Sequence, residues 1–487
     1  MNNITENNSG GLANPPLGGR GLVVIGGGPG GYAAAFYAAD LGMNVTLVDL
    51  EKNPGGVCLY RGCIPSKALL HVAKLLNETK EAKEWGINFG EPEIDLDKLR
   101  AFKNKVVNKL TGGLGVLTKQ RKINFVQGRA RFVSSSAIEV SREDGSKEQI
   151  SFDKAIIATG SVIATIPSLQ IDSPRLLNST SALDLPAIPK SLLVVGGGYI
   201  GLELGSVYSA LGTQVSVVEF MDRLLPGADQ DMVSHLQKRI SKSFDKIMLQ
   251  SKVVEIKEAA DGLLVRIENK DKQIEEHTFD YVLMSIGRKP STAGLGLENT
   301  RVQVNERGWI VADNTLKTND ENIYAIGDIV GEPMLAHKAS HEGRVAVDAI
   351  AGKKVAFEPL AIPAVVFTDP EIAWAGITET QAAAKGIRFE VAKFPWAASG
   401  RATTLDRSDG LTKLIIDPDT ERILGVGICG PGAGEMIAEG VLAIEMGATV
   451  KDLALTIHPH PTLSETVMEA AELFYGHSSH IFKPVKK

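Results

Sequence analysis

The fold is decided by residues 21–49, which read GLVVIGGGPGGYAAAFYAADLGMNVTLVD. An apolar run leads into a loop of glycines, an alanine-rich segment of helical length follows, and a second apolar run ends at Asp49. Strand, glycine loop, helix and strand in this order form a βαβ unit, and Gly26, Gly28 and Gly31 supply the G-x-G-x-x-G spacing of a dinucleotide-binding turn. The segment therefore predicts a unit that holds the pyrophosphate of a dinucleotide at the N-terminus of its helix.

The same unit occurs a second time, 170 residues further along the chain. Residues 191–219 read SLLVVGGGYIGLELGSVYSALGTQVSVVE, with the glycine spacing at Gly196, Gly198 and Gly201 and an acidic residue, Glu219, at the end of the second strand. An acidic residue at this place accepts hydrogen bonds from the ribose hydroxyls of the nucleotide. The chain is therefore predicted to bind two dinucleotides, although two α/β domains that bind no nucleotide are the alternative.

The acidic residues that end the two units also indicate which dinucleotides are bound. Asp49 and Glu219 would both repel the 2′-phosphate of NADP. Phe220 and Met221, which follow Glu219, supply no arginine to hold that phosphate. We therefore expect the two dinucleotides to be FAD and NAD rather than NADP.

A third G-x-G-x-x-G match, at Gly425, Gly427 and Gly430, lacks this context. The residue 21 positions beyond Gly427 is Ala448, and no strand with an acidic end follows. We expect this stretch to pack a strand against a helix without binding a nucleotide.

Composition excludes several classes of protein. With 52 basic and 58 acidic residues the formal net charge is −6. The chain therefore has no excess of positive charge that would attract nucleic acid or an anionic membrane. Three cysteines are too few for a secreted scaffold held by disulfides. The uncharged stretch from Gly21 to Ala39 contains GGGPGG, which would disrupt a membrane-spanning helix. We expect a soluble cytoplasmic protein that binds neither nucleic acid nor membrane, with a disordered tail over residues 1–20.

Two cysteines lie close after the first unit, in the stretch GGVCLYRGCIPSK at residues 55–67. Cys58 and Cys63 have four residues between them, in a chain whose only other cysteine is Cys429. A redox couple beside a dinucleotide motif is one interpretation, and two buried core cysteines or an incomplete metal site are the others. A zinc site would need two further ligands, and only His71 lies nearby, so we expect no metal.

The C-terminal stretch TIHPHPTLSETVMEAAELFYG holds two histidines among prolines. His458 and His460 are two residues apart, and Glu465 follows His460 by five residues. A histidine on a rigid backbone beside a carboxylate is typical of an oriented general base, whereas a lone histidine more often has a structural role.

Together these motifs resemble those of the pyridine nucleotide–disulfide oxidoreductases. The string around Cys58 and Cys63 resembles the family's redox-active disulfide, and TIHPHPT resembles the segment that carries its catalytic dyad of histidine and glutamate. The segment IYAIGDIVGEPMLAHKASHEG resembles the family's second flavin motif. The resemblance extends from about residue 21 to the C-terminus and makes His458 a supporting residue. It implies catalytic roles for Cys58, Cys63, His460, Glu465, Lys67 and Glu203.

The resemblance also implies cofactor contacts beyond the glycine loops. The segments IIATGS and SIGRKP resemble the two crossovers between the FAD and NAD regions, and Lys67 and Glu203 match a pair near the flavin. The implied FAD contacts are Gly26, Gly28, Gly31, Asp49, Lys67, Thr159, Gly160, Asp328, Ala336 and His337. The implied NAD contacts are Gly196, Gly198, Gly201, Glu203, Glu219 and Gly287.

The activity that the resemblance implies is oxidation of a dihydrolipoyl group by NAD⁺ with FAD as the relay. In the family one cysteine exchanges with substrate and the other faces the flavin, which maps onto Cys58 and Cys63 in that order. The dyad acts on the disulfide of the other subunit of a homodimer. The expected partner is the lipoyl domain of an E2 acyltransferase in a 2-oxo acid dehydrogenase complex, or the carrier protein of the glycine-cleavage system. Another FAD disulfide reductase that uses NADH or NADPH, and a non-catalytic redox-sensing flavoprotein, are the alternatives.

The expected fold class is α/β, with two doubly wound Rossmann-like dinucleotide-binding domains and a C-terminal α+β dimerisation domain. After the tail at 1–20 we expect an FAD-binding domain over 21–160 and an NAD-binding domain over 161–287. A central segment over 288–358 completes the FAD domain, and an interface domain covers 359–487.

Overall fold

The computed structural model describes residues 21–482, and the predicted tail over residues 1–20 lies outside this range. The described chain forms two compact units. The first unit consists of residues 21–60, 108–162 and 289–357, and the second of residues 61–107, 163–288 and 358–482.

The described residues contain 23 strands and 12 α-helices. The strands are β1 (Gly21–Ile25), β2 (Asn44–Asp49), β3 (Asn124–Gln127), β4 (Arg129–Ser134), β5 (Ala137–Ser141), β6 (Lys147–Ser151), β7 (Lys154–Ile157), β8 (Ser161–Ile163), β9 (Leu176–Asn178), β10 (Ser191–Val195), β11 (Gln214–Val218), β12 (Lys246–Met248), β13 (Lys252–Ala259), β14 (Gly262–Glu268), β15 (Ile274–Phe279), β16 (Tyr281–Met284), β17 (Arg288–Pro290), β18 (Ile323–Ala325), β19 (Ala364–Val366), β20 (Ile372–Gly376), β21 (Glu390–Pro395), β22 (Leu411–Ile416) and β23 (Ile423–Cys429). The helices are α1 (Pro29–Asp40), α2 (Gly56–Arg61), α3 (Cys63–Glu81), α4 (Leu96–Gln120), α5 (Tyr199–Ala210), α6 (Gln230–Ile240), α7 (Ala336–Ile350), α8 (Glu379–Ala384), α9 (Gly400–Thr404), α10 (Ala433–Glu445), α11 (Val450–Leu455) and α12 (Glu465–Tyr475). Between residues 21 and 482, none of the helices is long and apolar enough to cross a lipid bilayer.

The first unit is built on a five-stranded parallel sheet with the order β18-β7-β1-β2-β3. Successive side chains of a strand point to opposite faces, so β1 contributes to two separate cores. On one face Val24 shares a core with Ala35 of α1 and Val347 of α7. On the other face Ile25 shares a core with Phe132 of the antiparallel sheet β4-β5-β6.

The second unit repeats this arrangement around the parallel sheet β12-β11-β10-β16-β9. Val194 of β10 shares a core with Leu204 of α5 and Leu69 of α3. Val195 shares the opposite core with Val265 of the antiparallel sheet β13-β14-β15. The repeat seen in the sequence thus extends to the layers of the structure, and in both units an antiparallel sheet covers the face that the helices leave open.

The second unit also contains an antiparallel sheet with the order β19-β20-β23-β22-β21. Phe394 of β21 and Leu414 of β22 share a core with Ile437 of α10 and Val467 of α12. This part of the chain has the predicted α+β architecture, and the predicted fold class is confirmed.

The third glycine match is a packing feature of this antiparallel sheet. A β-carbon at Gly427 would lie 2.7 Å from the sulfur of Met232, and one at Gly430 would overlap the ring of Trp396. These glycines therefore allow neighbouring side chains to approach β23 closely, which is the packing role expected for this stretch.

A buried lysine joins three carboxylates in the second unit. Lys413 of β22 is 1% exposed, and its ammonium group lies 2.7 Å from Asp229 and 2.8 Å from Asp231 and Glu379. Lys393 of β21 contacts Asp231 and Glu379 as well. Burial opposes ionisation of Asp229 and Asp231, but hydrogen bonds outweigh it and hold the pKa of both carboxyls below the usual value. Asp229 accepts from Lys413 and from the N–H groups of Glu379 and Thr380, and Asp231 accepts from both lysines. The three carboxylates have the spacing of metal ligands, but two ammonium groups already bind them and neutralise most of their charge, and we assign no metal to this cluster.

The substitution Lys413→Met should lower the free energy of unfolding by about 3 kcal/mol or more at pH 7, because it leaves buried carboxylates without their main partner. Carboxyls with a lowered pKa stabilise the fold above the pKa of the unfolded chain, near 4, and lose this contribution as the pH falls further. The difference between parent and variant should therefore shrink as the pH falls below about 4. Urea unfolding at pH 7 and at pH 3.5 to 4 measures both effects.

Lys393→Met is the matched control for this prediction. Its side chain contacts two of the same carboxylates but is 39% exposed, so we expect a loss of about 1 kcal/mol or less. Equal losses in the two variants would show that burial of Lys413 is not the cause.

Candidate active site

In both units the glycine loop turns sharply between the first strand and the helix. Gly26 and Gly196 have φ angles of 102° and 106°, which residues with a side chain rarely adopt. A β-carbon at Gly31 would overlap the carbonyl oxygen of Gly26, and one at Gly201 would overlap that of Gly196. Only glycine therefore allows each helix to begin this close to its loop.

The acidic residue at the end of the second strand holds the loop in each unit. Asp49 Oδ2 accepts a hydrogen bond from the N–H of Gly27 at 2.5 Å, and Glu219 Oε2 accepts one from the N–H of Gly197 at 2.6 Å. The other oxygen of each carboxylate accepts the N–H two residues further along the chain, at 2.8 and 2.7 Å respectively. The predicted role of these carboxylates is to bind ribose, and the structure adds that they also fix the loops that receive the nucleotide.

The helices that follow the loops begin without a side chain that could cap them. Gly28 is the N-cap residue of α1 and Gly198 that of α5, and neither first turn contains an acidic residue. The N–H groups of such a turn and the positive end of the helix dipole suit a pyrophosphate. A β-carbon at Gly56 would lie 2.5 Å from the Cα of Gly28, so the chain after β2 packs directly on the first loop. These features fit FAD in the first unit and NAD in the second.

The two predicted crossover segments turn at glycines. Gly160 has a φ of 66°, and its carbonyl accepts the N–H of Ser291 at 2.9 Å. Thr159 donates its hydroxyl to the carbonyl of Ser291 at 2.9 Å. In the second unit Gly287 has a φ of 116°, and its carbonyl accepts the N–H of Ala164 at 3.0 Å. The crossovers are therefore held by hydrogen bonds to neighbouring backbone.

The second flavin motif lies directly after β18 in the first unit. Ser161, next to the predicted FAD contacts at 159 and 160, donates a hydrogen bond to Oδ2 of Asp328 at 2.5 Å. The helix α7 begins at Ala336, so His337 lies in its first turn. The structure thus brings Asp328 together with the crossover segment, as a shared flavin site requires.

A buried ion pair that no sequence pattern had indicated supports this motif. Glu342 of α7 accepts the N–H of Gly327 at 2.6 Å, and Lys338, one turn earlier on the helix, contacts Glu342 at 2.6 Å. Burial raises the pKa of Glu342, although the charge of Lys338 opposes this. The pair fixes the residue next to Asp328, and the spacing of four residues between lysine and glutamate is the signal that could have revealed it.

The two cysteines of the predicted redox couple lie on consecutive helices. Cys58 belongs to α2 and is partly exposed, and Cys63 is the first residue of α3 and is exposed. A helix N-terminus stabilises negative charge, so the position of Cys63 suits a thiolate. Cys429 differs from both, because it is buried and burial raises the pKa of its thiol.

A buried ion pair lies one turn into α3. Lys67 Nζ is 2.7 Å from Glu203 Oε2, and Glu203 is buried on α5. Ser66 donates its hydroxyl to the same oxygen at 3.0 Å, and the N–H of Phe367 donates to Oε1 at 3.0 Å. The Phe367 ring centroid lies 4.4 Å from Nζ of Lys67, which is the geometry of a cation–π contact. The glutamate therefore has the partners that burial demands, and Lys67 lies on the same side of α3 as Cys63.

His460 and Glu465 are in contact at the start of α12. His460 Nδ1 lies 2.9 Å from Glu465 Oε1, and Glu465 Oε2 accepts the N–H of Thr462 at 2.7 Å. Burial opposes ionisation of Glu465, but the Thr462 N–H and the His460 ring outweigh it, so the pKa of the carboxyl lies below its usual value. An ionised carboxylate can only accept, so Nδ1 carries the proton and Nε2 is left to accept one. The His460 side chain is 74% exposed, which makes this nitrogen accessible.

His458 is held on both sides of its ring. Its Nε2 lies 2.7 Å from Glu439 Oε1, and its Nδ1 lies 2.9 Å from the carbonyl oxygen of Thr456. The side chain is buried. No ring nitrogen remains for a substrate, so His458 supports the backbone that carries His460.

Two members of the Lys67 cluster were not predicted from the sequence. Ser66 adjoins Lys67 in the chain, so the string IPSK held a signal for it. Phe367 lies 164 residues beyond Glu203, and no spacing or composition pointed to it. Contacts of this kind arise only when the chain is folded.

Comparison with known proteins agrees with this site. The family described as pyridine nucleotide-disulphide oxidoreductase matches residues 20–343, and the dimerisation domain of the same family matches residues 362–471. Among solved structures, LpdA from Mycobacterium tuberculosis superposes with a TM-score of 0.87 at 29% identity, covering 94% of this chain and 100% of that one. The HOCl-induced flavoprotein disulfide reductase RclA from Escherichia coli superposes with a TM-score of 0.83 at 29% identity, covering 93% and 99%.

Relatives of higher identity share a single description. The dihydrolipoyl dehydrogenase of Vibrio cholerae is 50% identical over 455 residues, which is 93% of this chain and 95% of the relative. The dihydrolipoyl dehydrogenase of Bacillus subtilis is 46% identical over 464 residues, which is 95% of this chain and 97% of the relative. The chain therefore belongs to the pyridine nucleotide-disulphide oxidoreductase family and, within it, groups with the dihydrolipoyl dehydrogenases, oxidoreductases that use FAD and NAD.

Proposed function

We propose that this chain reoxidises a dihydrolipoyl group carried on a lipoyl domain of another protein, through a Cys58–Cys63 disulfide, FAD and NAD⁺. The observation that carries the proposal is the contact between His460 and Glu465, which leaves Nε2 of His460 available for a proton. A dithiol substrate needs such a base, because the thiolate and not the thiol is the nucleophile.

The first step is an exchange between the substrate dithiol and the protein disulfide. His460 takes the proton of one substrate thiol, and the thiolate attacks the sulfur of Cys58 and releases Cys63 as a thiolate. The second substrate sulfur then attacks the mixed disulfide and displaces Cys58. The substrate leaves as the cyclic disulfide, two electrons poorer, and the protein holds two reduced cysteines.

The electrons leave the protein dithiol on the Cys63 side. Cys63 begins α3, where the helix N-terminus favours a thiolate, and Lys67 places a cation one turn further along the same helix. Glu203, Ser66 and Phe367 hold that cation in place. Bound FAD supplies the chemistry that carries the electron pair on to NAD⁺ as hydride. We assign the Lys67–Glu203 pair to the flavin side of the disulfide.

The nicotinamide cofactor is NAD and not NADP because of the residues at the end of β11. The carboxylate of Glu219 lies where a 2′-phosphate would be repelled, and it is fixed there by the N–H groups of Gly197 and Met221. Phe220 and Met221 are exposed and offer no cation to a phosphate.

The dimerisation domain indicates a homodimer, and we propose that His460 acts on the disulfide of the partner subunit. Apolar side chains are exposed on the two helices that precede this histidine and directly after them, with Ile457 at 95% and Leu455, Leu442 and Met446 also exposed. An apolar patch of this kind marks an interaction surface. A dimer that covers it would bring the His460–Glu465 dyad to the subunit interface.

The partner that we propose is the lipoyl domain of an E2 acyltransferase or of a glycine-cleavage carrier protein. The dihydrolipoyl dehydrogenase relatives support this class of substrate. The net charge of −6 and the low cysteine content favour the cytoplasm as the location, where such carriers meet a reducing environment.

The substitution His460→Gln tests the proposed base. In FAD-loaded protein we expect dihydrolipoamide-dependent NADH formation to fall by roughly 10²- to 10⁴-fold, because the thiol loses the group that removes its proton. Anaerobic reduction of the flavin by NADH should stay close to the parent rate, since this step does not use His460. Stopped-flow absorbance measures both reactions on one sample.

His71→Gln is the matched control, since it makes the same change at an exposed histidine of α3. Near-normal dihydrolipoamide turnover in His460→Gln would refute the role of the dyad. For the parent protein, NADP⁺ in place of NAD⁺ and glutathione disulfide with NADPH should give little turnover. A parent protein whose flavin is reduced by NADH but which does not oxidise dihydrolipoamide would refute the proposed function.

The substitution Gly31→Ala tests the fit of FAD to the first loop. The added β-carbon overlaps the carbonyl oxygen of Gly26, so the loop must move and the purified protein should lose most of its bound flavin. Gly201→Ala makes the equivalent change in the second unit, and there flavin should be retained while the KM for NAD⁺ rises by about 10²-fold. The ratio of absorbance at 450 and 280 nm and steady-state kinetics measure these effects.

Gly90→Ala serves as the control for both glycine variants, because nothing lies within 4 Å of an added β-carbon there. Full flavin content in Gly31→Ala, or flavin loss in Gly201→Ala equal to that in Gly31→Ala, would contradict the assignment of the two loops to two cofactors.

A further inference from the structure

The helix α12 carries three glutamates along one side. Glu465, Glu469 and Glu472 follow one another at intervals of four and three residues, which places them above one another on the helix surface. The first belongs to the His460–Glu465 dyad, and the mechanism uses neither of the others. Three neighbouring carboxylates repel one another unless cations balance them, so the groups that surround Glu469 and Glu472 bear on the dyad.

Glu469 is buried and bound by the segment that follows the helix. Its side chain is 5% exposed, and its Oε1 lies 2.5 Å from Nδ1 of His480. Its Oε2 accepts the hydroxyl of Ser478 at 2.6 Å. The chain beyond α12 therefore folds back so that a second histidine–glutamate pair stands one helical turn from His460 and Glu465.

The negative charge of Glu469 affects the ionisation of neighbouring groups on the helix. At Glu472 burial raises the pKa of the carboxyl and the charge of Glu469 raises it further, and the Oε2 atom of Glu472 is buried without a hydrogen-bond partner among the described residues. His480 has the opposite effect, because its charge lowers the pKa of the Glu472 carboxyl and also that of the Glu465 carboxyl at the start of the helix. His480 is thus within electrostatic reach of the dyad.

The other charged groups around α12 are not part of the line of three glutamates on this helix. Charged groups on elements and segments packed against the helix are His477, Lys451, Asp452, Glu390, Glu421, Lys393 and Lys413. Lys393 and Lys413 face the opposite side of their sheet, where they bind carboxylates. Asp452 caps the start of its own helix, and His477 is nearest to Glu472. His480 is therefore the cation placed to balance Glu469.

We propose that His480 is a positioning residue for the dyad: in its protonated form it cancels the charge of Glu469, and in this way it sets the pH at which His460 becomes a base. The proposal deepens the proposed function, since it concerns the base of the same reaction. His480 touches neither the substrate nor the reacting atoms, and it acts only through Glu469 and the field at Glu465.

The expected size of the effect follows from the helix geometry. Residues four apart are about 6 Å apart along the axis. Because the His460 side chain is largely exposed, a unit charge at that distance is screened about as in bulk water and shifts a titration midpoint by about half a pH unit. Without His480 the uncompensated charge of Glu469 attracts a proton to His460. The acidic limb of the pH profile then moves upward, and the rate at a pH on that limb falls roughly threefold.

Four forms of the FAD-loaded protein test this proposal: the parent, His480→Gln, Glu469→Gln, and the variant with both changes. The midpoint of the acidic limb of kcat/KM for dihydrolipoamide should rise by about half a unit in His480→Gln and return to the parent value in the double variant. In Glu469→Gln the midpoint should lie at or below the parent value, because His480 then has no carboxylate to balance and its charge opposes protonation of His460. The His460 ring, followed by NMR of ¹³C-labelled histidine and assigned with His460→Gln, should titrate with the same shifts in the same four proteins.

Each outcome decides the proposal. An unchanged midpoint in His480→Gln refutes it, and so does a double variant that shifts as far as His480→Gln alone, because the effect then does not come from the charge of Glu469. If His480→Gln does not fold, His480→Lys keeps the charge and should leave the midpoint at the parent value, whereas a shift of half a unit there refutes the proposal. If the parent does not oxidise dihydrolipoamide, the proposed function fails, and the NMR titration still decides the role of His480.

Discussion

A steric constraint at two glycines underlies both halves of this protein. Each βαβ unit brings the first turn of its helix against the carbonyl oxygen that ends its first strand, and a β-carbon at Gly31 or Gly201 would overlap that oxygen. With no side chain at these points, the N–H groups of the helix start stay close to the loop and available to a pyrophosphate. The carboxylates of Asp49 and Glu219 hold the loops in this position. Both of the predicted cofactor sites therefore depend on this close approach.

Two further residues to which we assign roles in the reaction also lie at helix starts. Cys63 begins α3, and Glu465 begins α12. At the first, the helix dipole favours a thiolate, and at the second a backbone N–H keeps a carboxylate ionised so that it can orient His460. The reactive groups are thus placed by backbone that regular secondary structure already fixes, which limits the side-chain freedom that must be lost before reaction.

Charges inside the second unit occur in balanced groups. Lys67 faces Glu203, Lys413 faces three carboxylates, and His480 faces Glu469. An unpaired buried charge would cost several kcal/mol, so each group ties distant parts of the chain into one geometry. The Lys67–Glu203 pair joins α3 to α5 across 136 residues of sequence, and the N–H of Phe367 completes it. Stability and function therefore rest on the same contacts at this site.

The sequence alone determined the two dinucleotide units and their offset of 170 residues, and it placed a carboxylate, Glu465, five residues after His460; the family resemblance identified these two as a pair. These are local patterns: glycine spacing, apolar periodicity and a histidine five residues before a carboxylate, all set by neighbours along the chain. The Lys67–Glu203 pair was predictable only through a family resemblance, and Phe367, Glu342 with Lys338, and the pairing of His480 with Glu469 were not predicted. Tertiary structure decided these contacts, because a buried carboxylate meets its partners only when helices and loops pack. The spacing of four residues between Lys338 and Glu342 is a local signal, but only packing shows that this pair is buried, and for Phe367 and His480 the chain carries no local pattern at all.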